Sequence, residues 1–485
     1  MTGIRFDHYD WAGGREAMLR FGPDIGPIVL AALPLFEEAN RTRQFACTIL
    51  RALAGYGIGS VLPDFPGTGE SLVATADATL SDKRRAYVAL TQVLGVDTYA
   101  LSIRSGALLE VDATLAGRWH LSPQSGEELV RDLERARVAA GKKEGDYAGN
   151  HLSFERLAAL REAVPRGWTM PDHTPRHRPA GGGCDLSRRA ALASVGTGQQ
   201  YPARPEACCR YRALDRSMRR FVAVACEGET LAATLDEADG TTGLLIVSGG
   251  NEIRSGAHRG MADLGQRLAA AGTPVFRYDR RGVGDSTGDN RGFLSAQPDL
   301  VAAATAFRSA APHVTRVVGF GNCDAASTLA LFGRSAGIER IILANPWVVE
   351  PIDDLPPTAA IRARYGERLR DPATWRRAVS GQVSLTKLFK GLRRVVAAKA
   401  EKPAPLATQV LTALGDWRED VAIVLASGDA TAIAFAAEYR GAANVTRLDT
   451  ASHSFAGAEN AAALYAVIAA AIAFRHPDES QDPEP

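Results

Sequence analysis

Short apolar runs alternate along this chain with stretches in which apolar positions recur every three or four residues. The alternation occurs twice. In the first half Ile28-Val29-Leu30-Ala31-Ala32-Leu33 is followed by a helix-periodic stretch from Arg41 to Leu53, which ends near Gly55 and Gly57. In the second half Leu244-Leu245-Ile246-Val247 is followed by Met261 to Ala271, stopped by Gly272, and then by the short run Pro274-Val275-Phe276-Arg277-Tyr278. Further apolar runs, Tyr99 to Ile103 and Val317 to Phe320, each lead into a sharp turn. Ala12-Gly13-Gly14 and Glu227-Gly228-Glu229 carry hairpin chemistry at the start of each half. Buried strands alternating with amphipathic helices predict a mostly parallel, doubly wound sheet in each half, entered through an antiparallel hairpin.

The two halves share a signature, Asp-x-x-Gly-x-Gly-acid-Ser. It reads Asp64-Phe65-Pro66-Gly67-Thr68-Gly69-Glu70-Ser71 in the first and Asp279-Arg280-Arg281-Gly282-Val283-Gly284-Asp285-Ser286 in the second. The spacing to the next turn also agrees: 37 positions from Gly67 to Arg104 and 41 from Gly282 to Cys323. The chain therefore reads as one architecture written twice. An antiparallel entry to a parallel sheet suits the α/β-hydrolase fold. The expected organisation is a truncated, degenerate hydrolase-like α/β lobe over 1–170, a basic linker over 171–217, a catalytic α/β-hydrolase domain with a helical cap over 218–475 (cap about 346–417), and a polar tail over 476–485.

Composition narrows the chemistry. Lys+Arg number 56 and Asp+Glu 55, for a net charge of +1, which argues against a nucleic-acid binder built on bulk positive charge. Hydrophobic residues make up 46% of 485, enough for sizeable cores. No apolar run reaches membrane-spanning length, and Met1-Thr2-Gly3-Ile4-Arg5 opens no signal core. Six cysteines without a CxxC pair suggest neither a disulfide scaffold nor zinc. A reducing, cytoplasmic setting is the expectation, in which a special cysteine acts as a thiol. The linker stands apart: from His173 to Arg220 there are ten Arg, no Lys and three acids. Cys184, Cys208 and Cys209 fall there, at spacings that suit no metal. Flexible basic chain is one reading of it. A GC-rich frame read out of phase, with Met218 as the start of the second lobe, is another.

Gly321-Asn322-Cys323-Asp324-Ala325 has the form of a nucleophile elbow, G-x-Nu-x-G, between a strand and the helical Ala326 to Leu331. Small residues must flank the centre because strand and helix run close there. A thiolate at a helix N-terminus is a good nucleophile. The fold's chain order of nucleophile, acid, histidine then selects Asp429, after the strand-like Val421 to Ala426, and His453, after Val445 to Leu448. Asp353 and Asp354 are the alternative acids; His476 lies in the polar tail. Backbone N–H groups at Gly250, Asn251 and Asp324 are the expected oxyanion donors. This chemistry calls for neither metal nor organic cofactor.

At these residues the second lobe resembles a known family. Ser248-Gly249-Gly250-Asn251-Glu252-Ile253-Arg254-Ser255-Gly256-Ala257-His258-Arg259-Gly260, the Asp279 to Ser286 motif, Gly321 to Ala326 and Asn345-Pro346-Trp347 are similar to exosortase A system-associated hydrolase 1, over about Met218 to Phe474. The resemblance implies an α/β-hydrolase linked to exopolysaccharide and exosortase (PEP-CTERM) systems, with Cys323 at the nucleophile position. The first lobe resembles the companion hydrolase 2 family more loosely, through Phe36-Glu37-Glu38-Ala39-Asn40-Arg41 and Asp64 to Ser71. Its elbow is Ser102-Ile103-Arg104-Ser105-Gly106, with a central Arg that is no nucleophile. Neither Ser102 nor Ser105 fits the crowded flanking positions, so lobe one is expected to lack a triad and to leave a sheet edge unpaired.

Between Pro346 and Trp417 the sequence turns basic: Ile361 to Lys402 carries twelve Lys/Arg and three acids. Amphipathic basic helices here suit a lid over an anionic substrate or a contact with an anionic membrane surface. Together these readings predict a hydrolase of a small-molecule acyl ester or thioester, with Cys323 as nucleophile, His453 as base and Asp429 as its orienter. An acyltransferase with the same triad and a non-catalytic interaction module of polysaccharide machinery are the alternatives.

Overall fold

The computed structural model describes residues 5–139, 145–147, 149–167, 219–349, 405–441 and 444–474. The linker 171–217, the basic stretch 361–402, Asp353, Asp354, His476 and the tail lie outside the described residues.

Lobe one forms a six-stranded sheet in the order β1-β2-β4-β3-β5-β6. Its strands are β1 (Arg5–Trp11), β2 (Gly14–Phe21), β3 (Ile28–Ala32), β4 (Gly59–Pro63), β5 (Thr98–Ile103) and β6 (Gly117–Leu121). Helices α1 (Glu37–Gly55) and α2 (Leu80–Leu94) make the crossovers, and α2 starts in a capping box between Thr79 and Asp82. A further helix α3 (Gly126–Ala139), a two-residue hairpin β7 (Asp146–Tyr147) and β8 (Asn150–His151), and α4 (Phe154–Arg161) complete the lobe. Strand β6 is the edge, and it pairs only with β5 among the described residues. The lobe nonetheless closes its own core, with Tyr9, Met18, Leu30, Val61, Tyr87 and Leu90 buried together.

Lobe two carries eight strands in the order β16-β15-β14-β13-β11-β12-β10-β9. Strand β9 (Arg219–Cys226) and β10 (Glu229–Asp236) form the entry hairpin. The parallel strands are β11 (Thr242–Val247), β12 (Val275–Tyr278), β13 (Arg316–Asn322), β14 (Arg340–Ala344), β15 (Val421–Ala426) and β16 (Asn444–Leu448). Helices α5 (Gly260–Ala270) and α10 (Ala458–Ala473) cover one face. Helices α6 (Gln297–Ala310), α7 (Asp324–Phe332), α8 (Pro405–Trp417) and α9 (Ala430–Glu438) cover the other. The central strands read as near-continuous apolar runs because both faces are covered. Helix α8 falls at the end of the segment expected to form the cap. It packs into the core instead, burying Leu406, Val410, Leu414 and Trp417, whose Nε1 donates to the Ala330 carbonyl at 2.9 Å.

The repeated signature has one local cause in both lobes. Asp64 Oδ2 accepts the Glu70 N–H at 2.9 Å, and Asp279 Oδ2 accepts the Asp285 N–H at 3.0 Å. The second glycine of each motif takes positive φ, 49° at Gly69 and 56° at Gly284. A Cβ there would lie 2.1 Å from Asp64 Oδ1 or 2.5 Å from Asp279 Oδ2, so only glycine fits.

The motif's last acid points across to the other lobe. Glu70 meets Arg277 at 2.8 Å, Arg254 at 3.3 Å and Arg219 at 3.4 Å, all from lobe two. Asp285 meets Arg43 of lobe one at 2.6 Å and Arg254 at 2.8 Å. Each lobe's arginine also binds its own lobe's first Asp: Arg43 to Asp64 at 2.7 Å and Arg254 to Asp279 at 2.6 Å. Phe6 of β1 stacks on Phe221 of β9, with centroids 4.9 Å apart. The two rings hold the same place in their hairpins, five residues before Trp11 and Cys226, the last residues of β1 and β9. The lobes thus associate about a pseudo-twofold axis, in the manner of an isologous dimer.

Burial alone would raise the pKa of Glu70, but Arg277, Arg254 and Arg219 hold it below the ordinary glutamate value. Asp285 is likewise depressed by Arg43 and Arg254 against the effect of burial. A carboxylate depressed in the fold contributes stability that is present above its unfolded pKa and lost as pH falls through the folded one. Replacing Glu70 with Gln strips a charge from three buried guanidiniums. Chemical denaturation at neutral pH should show a loss of about 3–5 kcal/mol, and the variant should be less sensitive to acid than the wild type.

Candidate active site

Strand β13 ends at Asn322 and α7 begins at Asp324, so Cys323 occupies the turn between them. Its backbone lies at φ 63°, ψ −126°, a strained conformation for a residue with a side chain. Crowding explains the small flanking residues: a Cβ on Gly321 would sit 2.7 Å from the Ala325 carbonyl carbon, and Ala325 is fully buried. Cys323 N–H donates to the Ala344 carbonyl at 2.9 Å, and the Trp347 N–H donates to the Cys323 carbonyl at 3.2 Å. These bonds fix the elbow to the end of β14. Among the three described cysteines, Cys47 and Cys226 are buried and Cys323 is partly exposed.

The structure brings the predicted acid and histidine to this turn. Asp429 caps α9, with Oδ2 accepting the N–H groups of Thr431 and Ala432 at 3.0 Å each. Its Oδ1 lies 3.0 Å from His453 Nδ1. Burial opposes the charge on Asp429, but the bonds from His453, Ala432 and Thr431 hold its pKa below the ordinary value. With Nδ1 engaged, Nε2 is the ring nitrogen left to face the Cys323 turn, where Asn322 Nδ2 bonds the His453 carbonyl at 3.1 Å. Burial would lower the pKa of His453. Asp429 and the neighbouring Cys323 outweigh it and raise the pKa to about 10. The imidazole thus lies between a buried carboxylate and the turn that carries Cys323.

The oxyanion residues are placed less simply. Gly250 and Asn251 follow β11, and Gly250 lies against the elbow. The Gly250 N–H, however, donates to the Asp324 carboxylate at 2.6 Å. Asp324 Oδ2 lies 3.6 Å from Arg280 Nη2, and Arg280 also bonds the Gly250 carbonyl. The Asn251 side chain turns away to accept from Asn290 at 2.8 Å. The Asp324 N–H opens helix α7, where the first turn's donors have no intrahelical partner. Gly249 is required by proximity, since a Cβ there would lie 2.7 Å from both the Asn322 carbonyl and Asp324 Oδ1.

Two residues that motif reading passed over hold the histidine loop. Asn322 Nδ2 and Asn345 Nδ2 each donate to the His453 carbonyl at 3.1 Å. Asn345 is fully buried, and its Oδ1 accepts the Ala426 N–H at 2.9 Å. It thereby ties together the ends of β14 and β15 and the histidine loop. A buried asparagine directly after a strand, in the Asn345-Pro346-Trp347 string, was the available signal. Glu252 is a third residue that motif reading passed over. Burial, Glu37 and Asp324 raise its pKa to about 7 against the opposing charge of His453, which puts this carboxyl in the field of the site.

Lobe one holds the same elbow without the chemistry. Arg104 stands at the nucleophile position with φ 48°, and its side chain pairs with Glu38 at 2.6 Å. Ser105 Oγ accepts the Leu35 N–H at 2.9 Å, as the Asp324 carboxylate accepts that of Gly250 in lobe two. No triad is assembled around Arg104 among the described residues. No group of His, Cys, Asp or Glu among them is arranged to hold a metal ion. No described helix is long and apolar enough to cross a membrane.

Comparison with known proteins bears on the second lobe. Residues 244–467 match the model of the alpha/beta hydrolase family. No curated protein matches the chain. Solved structures similar to it include an esterase of Pyrococcus furiosus, 13% identical over 52% of this chain and 91% of that one, with a TM-score of 0.35. A proline iminopeptidase-related protein of Thermus thermophilus is 20% identical over 53% of this chain and 99% of its own, with a TM-score of 0.33. The thioesterase domain from the curacin biosynthetic pathway is 12% identical over 52% and 99%, with a TM-score of 0.32. The eight-stranded second lobe, with its elbow between β13 and α7, has the alpha/beta-hydrolase fold, and a second α/β lobe precedes it.

Proposed function

We propose that the chain is a hydrolase of acyl esters or thioesters, with one active site, in lobe two, built on Cys323, His453 and Asp429. The observation that carries this reading is the constellation itself: a strained, partly exposed thiol at a strand–helix turn, and a histidine tied to that turn through Asn322 whose Nδ1 lies 3.0 Å from a buried carboxylate. The match of residues 244–467 to the alpha/beta hydrolase family supports it. The resemblance to exosortase A system-associated hydrolase 1 supports a place beside exopolysaccharide and exosortase systems.

The Cys323 sulfur attacks the acyl carbonyl carbon, forming the S–C bond while the carbonyl π electrons move to oxygen. Asp324 N–H receives that oxygen, and Gly250 N–H joins it as the Asp324 carboxylate turns toward Arg280. The carbonyl re-forms, the bond to the leaving oxygen or sulfur breaks, and His453 delivers its proton to that atom. Water then attacks the thioester, giving its proton to His453, and the tetrahedral adduct expels Cys323. An acceptor hydroxyl in place of water would make the same triad an acyltransferase, and product analysis with and without acceptor alcohols separates the two.

Screening p-nitrophenyl and thioester substrates of graded chain length should reveal turnover that Cys323→Ala lowers by at least about 1000-fold. Absence of any turnover, together with a Cys323 thiol no more reactive than a buried one, would leave the interaction-module reading. The proton on His453 supplies a second check. Its folded pKa of about 10 exceeds the unfolded value of about 6.5. The stability it contributes is therefore complete below about pH 6.5 and is lost as pH rises to about 10. Melting temperatures measured across that window should fall more steeply for wild type than for His453→Gln.

A further inference from the structure

The loop that leaves β11 runs past the active site and then into the other lobe. Within it His258 and Arg259 both take left-handed backbone, φ 50° and φ 62°. Consecutive non-glycine residues in this region persist only where their surroundings hold them. Here lobe one supplies the hold. Glu37 Oε2 accepts the His258 N–H at 3.0 Å and lies 3.6 Å from His258 Nδ1. Asn40 Nδ2 donates to the Gly256 carbonyl at 3.1 Å. Arg259 reaches the Gly69 carbonyl at 3.0 Å, the Val73 carbonyl at 2.9 Å and the Ser71 carbonyl.

The far side of His258 meets the catalytic loop. His258 Nε2 lies 3.2 Å from Ser454 Oγ, and Ser454 is the next residue after His453. Asn322 and Asn345 fix the His453 carbonyl from the elbow side. On the other side the loop borders a cavity of about 330 Å³ between the lobes, lined by His258, Met261, Ser454 and Phe455 and by Asp146 and His151 of lobe one. The loop has space to shift in that direction, and His258 and Ser454, 3.2 Å apart, both line that space.

We propose that lobe one, which carries Arg104 where a nucleophile would stand, acts as a built-in positioning element for the site of lobe two. Glu37 is the positioning residue. It fixes His258, and His258 fixes Ser454 and with it the placement of His453 against Cys323. The inference rests on the triad reading above, and its test separates the two.

Full-length wild type, Glu37→Ala, Glu37→Gln, Ser454→Ala and His453→Ala are treated with iodoacetamide at neutral pH. Alkylation of the peptide containing Cys323 is timed by mass spectrometry, and melting temperatures are recorded in parallel. Glu37→Ala and Ser454→Ala should slow alkylation about tenfold without a matching loss of melting temperature, because sub-ångström misplacement of a base is costly. Glu37→Gln keeps an oxygen that accepts the His258 N–H and should stay within about twofold of wild type. Wild-type rates in Glu37→Ala and Ser454→Ala, with His453→Ala slowed, would overturn the inference and leave the triad standing. So would a Glu37→Gln variant as slow as the alanine. If Glu37→Ala fails to fold, Ser454→Ala decides alone. A wild-type rate in His453→Ala would remove the triad and the inference with it.

Discussion

Two buried carboxylates, Glu70 and Asp285, hold this molecule together by reaching across a pseudo-twofold axis into the other lobe's arginines. Ions buried this deeply are costly to desolvate, and the network offsets that cost only while every member is paired. Arg254 stands at its centre, bonded to Asp279, Asp285 and Glu70. Arg254 also lies midway along the loop that has Gly250 at one end and His258 at the other. The docking of the lobes therefore fixes the loop beside the Cys323 turn.

The lobes share the strand–elbow–helix frame and differ in what it displays. In lobe two the turn carries a thiol, its Asn322 bonds the backbone of His453, and Asp429 meets the His453 ring. In lobe one the same strained turn presents Arg104, which is neutralised by Glu38. The residue after each elbow accepts an N–H from the loop beyond the first parallel strand: Ser105 from Leu35, Asp324 from Gly250. In lobe one this simply closes the turn. In lobe two it places a carboxylate on the N–H proposed as an oxyanion donor, with Arg280 3.6 Å from that carboxylate.

The fold was legible in the sequence, and so were the residues proposed for the site, because each rests on local rules. Apolar runs of strand length and helical periodicity marked the sheet and its crossovers. Gly321 and Ala325 around Cys323 announced the elbow because close packing of strand on helix excludes anything larger. Asp429 and His453 followed from chain order at the ends of β15 and β16. The glycines of the repeated motif were visible as turn residues, though the clash with Asp64 and Asp279 that demands them was not.

Tertiary structure alone decided how the two lobes meet. Nothing local ties Glu70 to Arg277, 207 residues away, or Arg43 to Asp285, 242 away. Ion pairs of this kind leave no periodicity, because each partner is a single polar position in an otherwise ordinary loop or helix. The same holds for Asn345 beneath the His453 loop, for the Asp324 carboxylate on Gly250, and for Glu37 against His258. Backbone propensity and apolar patterning select the elements and their order. Which side chains converge depends on how separately formed surfaces dock, and only the folded chain fixes that.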